Sequence, residues 1–87
     1  MEEVELIIDK EGTKRYYIKG TNILHREDGP AIEFFNGSKY WYKYNKRHRL
    51  DGPAIEWFNG AKSFYINDKY IENVNSIEEA IIKSLIE

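Results

Sequence analysis

The chain has 87 residues, a formal net charge of −2 and no cysteine. That length suits a single domain, residues 1–87, whose core is small enough to lean on a partner or an oligomer. The missing cysteines exclude disulfides and thiolate metal sites, the net acidity argues against a dedicated duplex-DNA binder, and no apolar run approaches a membrane span.

The start, Met1-Glu2-Glu3, is acidic and does not read as a signal peptide. With the lack of cysteine, this leads to the expectation of a cytoplasmic protein. Charge is uneven: Lys39, Lys43, Lys46, Arg47 and Arg49 fall within residues 39–50 without one acid among them. Aromatics make up 15% of the chain, seven of them tyrosine. That abundance suits half-buried β surface and also binding faces.

In chain order, residues 4–9 read as a strand, 10–13 as a turn and 14–19 as the returning strand. Gly20-Thr21-Asn22 breaks it. The stretch His25-Arg26-Glu27-Asp28-Gly29-Pro30-Ala31-Ile32-Glu33-Phe34-Phe35-Asn36-Gly37 then returns 23 residues later as His48-Arg49-Leu50-Asp51-Gly52-Pro53-Ala54-Ile55-Glu56-Trp57-Phe58-Asn59-Gly60. A fixed period of this size marks a repeat architecture. Within each copy, 31–35 and 54–58 read as strands. Asn36-Gly37 and Asn59-Gly60 predict two-residue type I′ turns with both residues at positive φ. The partner strands are 38–44 and 61–66. In the former, Tyr40, Tyr42 and Tyr44 should face one way and Lys39, Trp41 and Lys43 the other. Asn67-Asp68 is a turn, and 69–71 a short last strand.

The first hairpin is a degenerate copy of the others. Gly12 stands for Gly37, Tyr16 for Trp41 and Tyr17 for Tyr42, with an exit two residues longer. The expected fold is therefore mainly β: an antiparallel meander of three repeated hairpins and about six strands over 4–71, with one C-terminal helix over 76–87. Ser76-Ile77-Glu78-Glu79 is a capping box. Ile77, Ala80, Ile81 and Leu85 form one helical stripe, which Ile82 and Ile86 widen beyond what one sheet face needs. Ile77, Ile81, Ile82, Leu85 and Ile86 are thus the expected oligomer interface, most simply of a homodimer.

The Asp-Gly-Pro loops have a backbone reading. Proline fixes its own φ and extends the residue before it, so Pro30 and Pro53 should open strands. Asp28 and Asp51 should bond nearby backbone N–H groups. His25, Arg26, His48 and Arg49 admit two readings. In one, the arginines pair with Glu33 and Glu56, or with the aspartates two residues on, and stack between repeats. In the other, His and Arg from successive repeats form an anion or carboxylate site. Catalysis by His25/Asp28 or His48/Asp51 has no accompanying Ser or Cys nucleophile in a recognisable setting, and two histidines 23 apart match no standard metal spacing. No enzyme activity, metal or cofactor is expected. The run Tyr40-Trp41-Tyr42-Lys43-Tyr44-Asn45-Lys46-Arg47-His48-Arg49 combines rings and cations as single-strand and nucleotide binders do.

The period, the strand–turn–strand unit and the Lys-Arg-His before a Gly-containing turn resemble MORN repeats. More narrowly, His-Arg-x-Asp-Gly-Pro-Ala followed by Asn-Gly-x-Lys and an aromatic-Tyr pair resembles the variant found in phages and large DNA viruses. The match covers residues 25–69 and, loosely, 4–22. It departs from standard MORN units at Lys39, where a glycine precedes the central aromatic by two places. The resemblance implies an elongated antiparallel sheet and a binding scaffold. It further implies a small viral accessory protein acting in the host cytoplasm by inhibiting a host defence protein. Tyr40, Trp41, Tyr42, Lys43, Tyr44, Arg47, His48, Arg49, His25 and Arg26 are the expected binding residues. A host protein is the expected partner; a nucleotide or single-stranded nucleic acid is the alternative, and no membrane is expected.

Overall fold

A computed structural model describes residues 2–86, so Met1 and the last residue of the expected helix, Glu87, lie outside the described residues. The strands are β1 (Val4–Ile8), β2 (Lys14–Ile18), β3 (Ile32–Glu33), β4 (Lys39–Tyr40), β5 (Tyr42–Lys43), β6 (Lys46–Arg47), β7 (Ile55–Glu56), β8 (Lys62–Ile66) and β9 (Lys69–Ile71), followed by α1 (Ile77–Ile86). All pairs are antiparallel, in the order β1-β2-β3-β4-β7-β8-β9, with β5-β6 as a separate hairpin. This is the expected meander plus helix. The slab measures 39 × 30 × 16 Å.

The strands number nine rather than about six because the expected strand 38–44 divides at Trp41 into β4 and β5, and the short strands β6 and β9 are added. In the first two units the hydrogen-bond ladder changes partner at one aromatic residue. The Trp41 N–H donates to the Ala54 carbonyl at 2.7 Å, in the next repeat, while the Trp41 carbonyl accepts from the His48 N–H at 3.1 Å, in its own. Tyr16 does the same, donating to Ala31 at 2.8 Å and accepting from His25 at 3.1 Å. Upstream of the split the chain belongs to the main sheet; downstream it turns back on itself. Expected strand 38–44 is for this reason two short strands, β4 and β5.

The turns correct the sequence reading. At Asn36-Gly37 and Asn59-Gly60 only the glycines have positive φ, +97° and +90°. Phe34 N–H donates to the Ser38 carbonyl and Gly37 N–H to the Phe34 carbonyl, both at 2.9 Å. That is a three-residue loop, a turn followed by a left-handed glycine. Asn36 stays out of the left-handed region because its Oδ1 accepts from the Ser38 N–H at 3.0 Å. The two-residue turns with paired positive φ lie at the other end of the unit, at Tyr44-Asn45 (49°, 68°) and Asn67-Asp68 (50°, 70°). Asn and Asp tolerate that conformation, whereas a tyrosine there needs local support.

Two further patterns join the repeats. Cross-strand partners share a sheet face, so the registers place Lys14, Glu33, Lys39, Glu56 and Lys62 side by side, alternating in charge across five strands. Buried hydroxyls also reach forward: Thr13 Oγ1 accepts from the Phe35 N–H at 3.2 Å and Ser38 Oγ from the Phe58 N–H at 2.9 Å. The third position is Ala61, which is exposed, and there the array ends. Helix α1 packs against β8 and β9 at that end. Its buried Ala80 joins Phe64 and Ile71, with Ile66, Val74 and Ile77 around them. The serine half of the expected capping box is present, with the Glu79 N–H donating to Ser76 Oγ at 3.2 Å.

Candidate functional site

The repeated His-Arg-x-Asp-Gly-Pro loop folds around its arginine. Arg49 Nε–H donates to Asp51 Oδ1 at 2.8 Å. Its Nη1 donates to the Pro53 carbonyl at 3.1 Å and to Glu56 Oε2 at 2.8 Å. Its guanidinium lies 3.7 Å over the Trp41 ring. Arg26 repeats the set with Asp28, Pro30 and Glu33, 4.0 Å over Tyr16. Both carboxylate partners weighed in the sequence are used at once, and the guanidinium stacks on the aromatic that splits the ladder. The glycine serves close approach: a Cβ on Gly52 would lie 2.8 Å from the Arg49 Cζ, and one on Gly29 3.0 Å from that of Arg26. The expected Asp–backbone bonds are replaced by Asp–guanidinium bonds. The proline expectation holds, since Pro30 and Pro53 lead into β3 and β7.

The histidines support the two-residue turns. His25 Nδ1 accepts from the Tyr44 N–H at 3.1 Å, and His48 Nδ1 from the Asn67 N–H at 2.9 Å. With Nδ1 an acceptor, each ring carries its proton on Nε2. His25 is wholly buried, 4.2 Å from the Tyr44 ring, and its Nε2–H donates to Glu27 Oε2 at 2.8 Å. The other Glu27 oxygen accepts from Lys43 Nζ at 2.6 Å. Lys43 foremost, and His25 after it, hold the Glu27 carboxyl below its ordinary value. The second repeat lacks this relay. Leu50 stands where Glu27 does and Ile66 where Lys43 does. His48 Nε2 therefore has no partner among the described residues. Burial, with Lys43 nearby adding to it, lowers the His48 pKa, which favours the neutral ring.

Between the two loops lies an open groove of about 870 Å³. It is lined on one side by Glu27, Asp28, Gly29 and Pro30, on the other by Arg49, Leu50 and Asp51. Trp41, Lys43, Tyr44, Lys46, His48 and Asn67 complete the lining. Of the expected binding residues, the groove gathers Trp41, Lys43, Tyr44, His48 and Arg49. Tyr40 and Tyr42 are elsewhere: their rings stack with each other at 6.4 Å, and Tyr40 meets Phe34 and Trp57 edge-on. Arg47 is bound to Asp68 at 2.7 Å and lies over Tyr65. The His25 ring is buried, and Arg26 is held at Tyr16. The expected alternation separates Trp41 and Lys43 from the other tyrosines but misplaces Tyr44, because the left-handed turn ends the strand at Lys43. The expected binding residues omit Lys46, although the ring-and-cation run includes it, and omit Leu50. The signal for Leu50 is its place as the one apolar substitution in an otherwise polar repeated loop.

Among the described residues, no group of three or more His, Asp or Glu side chains could hold a metal ion. No described helix is long and apolar enough to cross a membrane. No protein-family model, no curated protein and no solved structure matches the chain.

Proposed function

We propose that this chain is a non-enzymatic binding module whose inter-loop groove engages a partner protein. The carrying observation is the division of labour around the groove. The guanidiniums of Arg26 and Arg49 and the ring of His25 are occupied by intramolecular bonds. The exposed groove residues Tyr44, Lys46 and Leu50 are left as contact surface. A mix of ring, aliphatic and cationic groups over a rigid frame suits protein contact. The resemblance to the viral repeat variant adds the particular role: a small MORN-like accessory protein of a phage or virus, in the host cytoplasm, that inhibits a defence protein by binding it. The exposed Ile82, Leu85 and Ile86 add self-association as a homodimer.

The nucleotide or single-strand reading draws on Trp41, Tyr44, Lys43 and Lys46 in the same groove. Glu27, Asp28 and Asp51 line it too, and their charge disfavours phosphate. The test is quantitative capture from lysate of the expected host with the wild type and with Tyr44→Ser/Leu50→Ser, alongside oligonucleotide titration at two salt concentrations. A protein partner lost by the double variant, with its sheet spectrum retained, is expected. A salt-steep oligonucleotide complex would favour the alternative. Undiminished capture by the double variant would overturn the groove reading.

A further inference from the structure

The repeats offer an internal comparison. In the first, the loop histidine, Glu27 and Lys43 form a closed chain of donors and acceptors. In the second, Leu50 and Ile66 take the carboxylate and ammonium positions. His48 keeps its turn-supporting bond to Asn67 but has no acceptor for Nε2–H among the described residues. Lys46 and His48 are two apart on one chain segment and so project to one face. The pairing of Lys43 with Lys46 across the hairpin puts Lys43 on that face as well. Lys43 is neutralised by Glu27, and Arg49 by Asp51 and Glu56. Lys46 has no ion pair among the described residues. The groove thus holds one unused ring donor, the Lys46 ammonium, which acts only at longer range on Asp68, itself bound to Arg47, and an exposed aliphatic side chain, Leu50, 56% accessible.

We infer that this corner of the groove binds a carboxylate side chain, Asp or Glu, presented by a protein partner beside an apolar residue. The carboxylate accepts from His48 Nε2–H and pairs with Lys46; the apolar neighbour packs on Leu50. In effect the partner supplies the acid that the first repeat carries as Glu27. Two donors suit one negative charge, and Glu27, Asp28 and Asp51 nearby disfavour a doubly charged phosphate. The inference rests on the groove reading above.

The test uses the full chain, isotopically labelled. Three probes are titrated: an N-acetylated, C-amidated Ala-Leu-Glu-Leu-Ala peptide, its Gln counterpart, and the Gln peptide with a free C-terminal carboxylate. The imidazole nitrogen signals of His48 are followed. The Glu peptide should move the Nε2 signal and bind about tenfold or more tightly than the amidated Gln peptide. His48→Asn keeps an acceptor for the Asn67 N–H and removes Nε2–H, its own amide N–H ending one bond short of that position; it should abolish that preference while the amide spectrum stays folded. Leu50→Glu supplies the acid internally and should do the same. Equal response to the Glu and amidated Gln peptides, or an undiminished preference in His48→Asn, would overturn the inference. So would selective binding of the free C-terminal peptide, which would assign the site to a chain end. A partner still lost by Tyr44→Ser/Leu50→Ser but retained by His48→Asn would leave the groove reading standing and remove this one alone.

Discussion

At the scale of single residues, the arginine and its aspartate are unequal. Arg49 makes three hydrogen bonds and covers Trp41, with 18% of its side chain accessible, whereas that of Asp51 is 86% accessible. Arg49→Lys loses the planar fork and should cost about 1–3 kcal/mol. Asp51→Ala removes one exposed ion pair and should cost only about 0.2–1 kcal/mol. Equal midpoints for the two variants in urea would remove the arginine from its bracing role. His48 gives a pH dependence. Its folded pKa lies below the ordinary 6.5 because the ring is partly buried, with Lys43 adding to the effect. The unfolded chain therefore takes up the proton first as pH falls. The stability due to the neutral ring is complete well above about pH 6.5 and declines as pH falls through it. The urea midpoint should drop between about pH 7.5 and 5.5, well before the carboxylates titrate, and His48→Asn should flatten that drop. An unchanged slope in the variant would place the effect elsewhere. The sequence shows that these side chains recur; it does not show how they divide between frame and surface. Arg49 and Leu50 are adjacent, yet one is locked over a ring and the other faces solvent. That difference depends on where Trp41 splits the ladder, which no local pattern records.

At the scale of elements, strands and helix are legible from alternation, spacing and the capping box, but turn geometry is not. Asn-Gly favours two left-handed residues intrinsically. Here the asparagine oxygen caps the Ser38 N–H, and a three-residue loop results. Gly60 is left-handed, and a Cβ added there would meet nothing within 4 Å. Gly60→Val should therefore cost about 1–2 kcal/mol through backbone torsion alone. Asn59→Ala should cost less, since it gives up only the bond from the Ala61 N–H. A larger loss for Asn59→Ala would restore the two-residue turn. The forward-reaching hydroxyls are also hidden in the sequence, because Thr13 reads as the end of a turn and Ser38 and Ala61 as ordinary strand starts. Ser38 is 3% accessible, and its Oγ is the acceptor for the Phe58 N–H. Ser38→Ala should therefore cost about 1–3 kcal/mol by leaving that N–H unpaired. Ala61→Ser, with no following repeat to reach, should be neutral. Calorimetry on the two variants checks both.

At the scale of the molecule, the two ends of the sheet differ. One is closed by α1 on β8 and β9, the other is the free edge β1, where Leu6, Ile7 and Ile8 are exposed. An unpaired apolar edge is a liability that proteins cover or blunt. The helix does not fold across β1; it lies at the opposite end, so one chain cannot satisfy both surfaces by that route. The helix also falls short of burying its wide apolar arc: Ile77 joins the core, while Leu85 and Ile86 are 80% and 79% accessible. In a twofold interface residue i of one copy meets residue j of the other and j meets i, so helix on helix, edge on edge and reciprocal helix on edge are all symmetric. The helix presents three large aliphatic side chains, Ile82, Leu85 and Ile86, on a surface with no open strand edge. A helix–helix dimer is accordingly expected. Sedimentation equilibrium at micromolar concentration should give twice the chain mass for the wild type. It should give the chain mass for Ile82→Glu/Ile86→Glu, with the β spectrum intact. A wild-type monomer would remove self-association altogether. A dimer that survives those changes but is split by Ile7→Lys would move the interface to β1, where antiparallel pairing would extend the sheet through the twofold axis.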